Sequence, residues 1–93
     1  MNAKKLPAID TAKKIIYGDR EKTYGKPSKN LNAIAVMWSA YLSSKFNQSI
    51  VVDAHDVCMM MVTLKVSREA NRRIEDNPID IIGYAALTDR IKE

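Results

Sequence analysis

Met61, Lys65, Arg68 and Arg72 follow one another at steps of four, three and four, so on a helix they make one stripe that turns from thioether to cation. An apolar floor meeting a basic rim suits a small anionic ligand. The same three cations also suit a solvated helix end, where positive charge is favourable against the C-terminal dipole. A second set lies in GDREKTYGKPSK, Gly18 to Lys29, where Arg20, Lys22, Lys26 and Lys29 outnumber Asp19 and Glu21. Its turn formers read as a loop, either a plain solvated connection or a ligand clamp. For the clamp, the face of Tyr24 can stack on a base, and Gly25 lets a backbone N–H come close to a phosphate.

Catalytic sets are sparse. His55, the one histidine, falls in the first turn of the central helix beside Asp53 and Asp56, with no Ser or Cys matched to it by spacing. No Gly-rich phosphate motif is present. The pairs Asp53/Asp56 and Asp76/Asp80, three and four apart, could each face one way on a helix and together hold one hard cation. All four also fall in or near first turns, where acids serve as caps and dipole partners. Cys58 is the only cysteine, which excludes a disulfide framework and a thiolate zinc site and leaves a small buried hydrophobe.

These residues must be positioned by 93 residues, one domain over 1–93, a length that buries only about 60 to 65% of its unfolded surface. The sequence is nevertheless 46% hydrophobic, with three Gly and three Pro. Part of that apolar excess needs a partner, so homo-oligomerisation is expected. Fifteen Lys and Arg against eleven Asp and Glu give +4 at pH 7. That points to an anionic partner, but the aromatic and basic interleaving of a nucleic-acid polymer platform is missing. Met1 to Pro7 carries Lys4 and Lys5 without an apolar run after them, and no stretch is long enough to span a membrane. A cytoplasmic protein is the expectation.

The periodicity predicts an all-α fold. Asp10 caps a short helix from Thr11 to Tyr17, ended by Gly18. Ser28 or Asn30 caps a helix from Leu31 to Phe46 with two apolar faces. Leu31, Ile34, Trp38, Tyr41 and Leu42 form one and Ala33, Met37 and Ala40 the other, so two neighbours are expected, one of them a second subunit. Asp53 caps the central helix, Ala54 to Arg73, whose Val57, Cys58, Met61 and Leu64 recur at helical spacing. Asn77 caps a last helix that starts at Pro78 and runs to Lys92, apolar nearly all round and so buried nearly all round. Gly83 within it suggests a close approach of another backbone. The sum is a small helical bundle of three main helices plus a short N-terminal helix, completed by oligomerisation.

The segments REKTYGKPSKNLNAIAVMWSAYL, DVCMMMVTLKVSREA and DNPIDIIGYAAL resemble a family of short phage-encoded proteins long known as a domain of unknown function. Some of its members are described as relatives of the all-α nucleotide pyrophosphatases of the MazG type, which hold Mg²⁺ with a Glu-x-x-Glu pair on one helix and a Glu-x-x-Asp pair on the next. That resemblance would make Asp53 and Asp56 the first pair. The second departs from the pattern, since Arg72 stands three places after Glu69 and Gly83 three after Asp80. The chain also looks like the small phage sponges that sequester cyclic nucleotide signals of antiphage defence, of the anti-CBASS type. Holding a cyclic dinucleotide takes cations for two phosphates, faces for two bases and an edge reader. Arg20, Lys22, Lys26, Lys65 and Arg68 could serve the phosphates, Tyr24 with Gly25 the stacking and close approach, and Asn30 the edge. The first reading is therefore a non-enzymatic sponge in the host cytosol that needs neither cofactor nor metal. The alternatives are a Mg²⁺-dependent nucleotide pyrophosphohydrolase and a protein-binding inhibitor of a host factor.

Overall fold

The computed structural model describes residues 6–92, all helices and turns with no strand among them; the lysines at positions 4 and 5 lie outside the described residues. Helix α1 spans Ala8–Lys14 and runs through a π turn, Ile15–Asp19, into α2, Arg20–Tyr24. The three make one continuous rod. The expected stop at Gly18 is thus corrected: the rod widens by one residue there, the Arg20 N–H reaching back to the Ile15 carbonyl. Most of the expected loop is consequently helical. The stop falls at Gly25, whose φ of 79° suits glycine.

Helix α3 spans Pro27–Phe46, with Pro27 in its first turn, where the missing N–H goes unused. It begins before both expected caps, Ser28 and Asn30, and ends on Asn47 in the left-handed region. The connector that follows is strapped to α3 by two serines. Val52 N–H donates to Ser39 Oγ at 2.8 Å and Ile50 N–H to Ser43 Oγ at 2.9 Å. Helix α4 spans Ala54–Asn71 behind the expected Asp53 cap, now a full capping box. The Asp56 N–H donates to Asp53 Oδ1 at 2.8 Å and the Asp53 N–H to Asp56 Oδ2 at 3.0 Å.

Helix α5, Asp76–Arg90, starts before Pro78, and Asn77 does not cap it. The buried Asn77 amide instead donates to Glu69 Oε1 at 3.1 Å, and that oxygen also takes the Ile74 N–H at 3.0 Å, clasping the α4–α5 turn. Gly83 is buried, but a Cβ there would meet only Ile16 Cγ2 at 3.5 Å, an ordinary contact, so no close backbone approach requires the glycine.

The rod lies on α5, α5 on α4, and α4 on α3. Ile16, Leu31, Ala35, Ala54, Val57, Cys58 and Leu87 form the core where these meet. The N-terminal rod is fastened by Arg90, 9% exposed, whose Nη1 donates to the Ile16 carbonyl at 2.6 Å and Nη2 to Glu21 Oε1 at 2.9 Å, while its guanidinium lies 4.9 Å from the Tyr17 ring centre. The row is a slab, 54 × 33 × 19 Å, with a radius of gyration of 15.0 Å. A closed globule of this length has about 12 Å. Among the described residues no helix is long and apolar enough to cross a membrane.

Replacing Arg90 with Ala leaves the Ile16 carbonyl without its donor and removes the packing against Tyr17, and is expected to lower unfolding stability by about 1–3 kcal/mol in urea melts. The two donors on Glu69 hold its carboxyl below the ordinary glutamate range. Its contribution is thus present above the unfolded value of about 4.3 and lost as pH falls through and below it. Wild type should lose stability more steeply than Glu69→Gln between about pH 5 and 3, as melts across that range would show.

Candidate nucleotide-binding clefts

The rod and α5 diverge around a cleft of about 390 Å³ lined by Ile15, Asp19, Arg20, Thr23 and Tyr24 from the rod and by Asp80, Gly83 and Tyr84 from α5, with Lys65 reaching in from α4. Arg20 opens α2 directly after the π turn, one turn from Tyr24. Its guanidinium lies 4.8 Å from the centre of the Tyr24 ring and 5.2 Å from that of Tyr84, a planar cation shared by two aromatic faces. Arg20 Nη2 also donates to Asn30 Oδ1 at 3.3 Å, tying the cleft to the first turns of α3. Lys65 Nζ meets Asp80 Oδ2 at 2.9 Å, its side chain 15% exposed.

That ion pair is the wall between two clefts. On its far side a second one, about 440 Å³, is lined by Lys65, Ser67, Arg68, Asn71 and Arg72 of α4 and by Ile74, Asp76, Asn77 and Asp80. The α4 stripe read from the sequence is therefore real as a surface: Met61 packs on the core, Lys65 sits half-buried at the wall, and Arg68 and Arg72 are exposed beyond it. Beneath the first cleft, burial pushes the Cys58 thiol above its ordinary range, outweighing the lowering effect of Arg20's charge.

The structure brings Arg20, Tyr24 and Lys65 together in one cleft, sets Asn30 against Arg20, and places Arg68 in the neighbouring cleft. Lys22, Gly25, Lys26 and Asn30 line neither. Lys22 is exposed on α2, Gly25 makes the turn, and Lys26 precedes α3, its carbonyl accepting the Asn30 N–H at 2.9 Å. Sequence reading missed Tyr84, submerged in the run of apolar residues on the last helix. Its signal was the spacing Asp80, Gly83, Tyr84, Leu87, one face of that helix carrying an acid, a gap and a ring. Of the four carboxylates considered for a metal, Asp53 and Asp56 are engaged with each other's backbone and Asp80 with Lys65. Among the described residues no three His, Cys, Asp or Glu side chains cluster as a metal site would need.

The family described as a domain of unknown function, DUF6378, matches residues 8–92. The chain belongs to this family. It is similar to the Gene 55 protein of Mycobacterium phage L5, 33% identical over 88 residues that make up 94% of this chain and 53% of that protein. The Gene 55 protein of Mycobacterium phage D29 is 31% identical over 86 residues, 91% of this chain and 53% of the relative. The chain thus spans about half the length of these curated relatives. No solved structure matches it.

The thiol beneath the cleft provides a test of how tightly this DUF6378 chain closes over its core. Cys58, buried and with its proton held, should alkylate with iodoacetamide at pH 8 orders of magnitude more slowly in the native protein than in urea, followed by intact mass.

Proposed function

We propose that the chain binds and sequesters a cyclic dinucleotide, acting in the cytosol of a phage-infected host to withdraw that signal from antiphage defence. The observation that supports this best is Arg20 held between Tyr24 and Tyr84 in the same cleft as Lys65. A nucleotide offers a flat base and an anionic phosphate. Drawn outward by a phosphate, the guanidinium exchanges two ring contacts for charge-assisted hydrogen bonds and leaves ring faces open to a base. Asp80 and Asn30 supply polar groups for base edges. The two clefts adjoin at the Lys65–Asp80 pair, so one nucleotide half fits in each, with Lys65 between the phosphates and Arg68 on the second.

The phage relatives are consistent with such a role. Magnesium-dependent pyrophosphohydrolysis has weaker support, because three of the four carboxylates it would use are engaged in an N-cap and an ion pair.

Native mass spectrometry with a panel of cyclic di- and trinucleotides, with and without Mg²⁺, tests the reading. The expected result is retention of one cyclic dinucleotide and its release unchanged on heating. Arg20→Gln and Arg68→Glu should each weaken capture at least about tenfold with helicity unchanged. Lys65→Glu is a poorer probe, since it would set a carboxylate against Asp80. Failure to bind any member of the panel, or turnover with Mg²⁺, overturns the proposal.

A further inference from the structure

The face of α3 turned away from the core is apolar and has no neighbour within the described residues. Ala33, Val36, Met37, Ala40 and Tyr41 recur along it at helical spacing, and all five are exposed, Val36 to 69%, Met37 to 62% and Tyr41 to 65%. Not one charged residue occurs from Asn30 to Ser44, nor from Val57 to Leu64 on α4. Tyr41 neighbours Trp38 one turn back, and Trp38 opens onto a shallow, almost wholly apolar groove with Met60 and Leu64 of α4. The patch therefore continues across two helices.

We infer that this face pairs two copies of the chain about a two-fold axis, α3 against α3. Three observations favour a second copy over another occupant. A chain carrying +4 meets its own repulsion wherever like charges face each other, and this face presents a stretch of fifteen residues, Asn30 to Ser44, without a charge. Its side chains suit themselves: Ala33 and Ala40, two turns apart, let two helix axes come close, while Met37 and Met60 adapt to whatever lies opposite. Val36, Met37 and Tyr41, each more than 60% exposed, with Met60 and Leu64 beside them, make a continuous apolar area of the kind from which an interface of roughly 800 Å² per partner is built. Pairing also adds a second layer to a slab 19 Å thick, covering α3 on both faces as a core helix is covered. The basic clefts lie between the rod, α5 and α4, so this pairing is independent of the ligand reading.

Sedimentation equilibrium of the full chain up to about 100 μM tests it. The expected mass is twice the 10.5 kDa of the monomer. Ala40→Glu, which sets two carboxylates across the axis, and Val36→Lys, which raises helix propensity at an exposed site, should both return the chain to 10.5 kDa with helicity unchanged. Should Ala40→Glu lose helicity, Val36→Lys decides. A wild-type chain that stays monomeric, whether or not it adsorbs to lipid vesicles or to another protein, overturns the inference. So does a dimer that survives Val36→Lys.

Discussion

Arg90 holds the two ends of the fold together. Its guanidinium, at the last turn of α5, binds the carbonyl of Ile16 and the carboxylate of Glu21 and lies against Tyr17, joining residues 74 and 69 positions apart. A helix interior has no spare carbonyls to offer. The π turn at Ile15–Asp19 changes the local pairing, and a carbonyl within it meets the guanidinium. Widening the helix also sets the angle at which α2 leaves, and so where Arg20 and Tyr24 stand. An N-terminal rod too short to be stable alone is thereby fixed at one register on α5.

A cleft remains because the rod and α5 are joined where Arg90 binds the rod and part beyond it, leaving space between them. Into that space Lys65 arrives from a third helix and finds Asp80. An ion pair this sheltered contributes little net stability, since desolvation offsets much of the attraction. Its effect is on position: it fixes a cation and an acid at a boundary and keeps the two clefts distinct. The guanidinium of Arg20 is similarly restrained by two rings and an amide, so its charge is present in the cleft but bound only by contacts that a stronger anion could replace.

The same economy of helices explains the slab. The rod, α5, α4 and α3 lie side by side, with the start of α3 also touching α2 and α5, and this leaves α3 covered on one side only. The inner face of α3, with Leu31 and Ala35 buried and Trp38 half-buried, meets the rest of the chain. The outer face is as free of charge as the inner one. Apolar surface of that extent seldom stays open to water in a small protein.

Helix identity was legible in the sequence because it depends on local periodicity and caps. The 3.6-residue recurrence of Val57, Cys58 and Met61, the Asp53 cap and the end of α3 at Phe46 reappear in place, and α3 does carry a second apolar face, although Tyr41, expected on the inner face, stands on the outer one. Of the ligand stripe, the order Met61, Lys65, Arg68 was equally visible, since residues on one helix share a face by geometry alone. The path of the chain through Gly18 was not, because glycine permits a stop or a continuation, and the choice rests with Arg90, more than seventy residues away. Asn77 was hidden for a similar reason: at a helix start its amide suits a cap, but burial beside Glu69 turned it to a clasp. Tyr84 joined Arg20, and Asp80 joined Lys65, only when α5 was laid between the rod and α4. Such contacts between distant helices depend on packing, and no spacing along the chain encodes them.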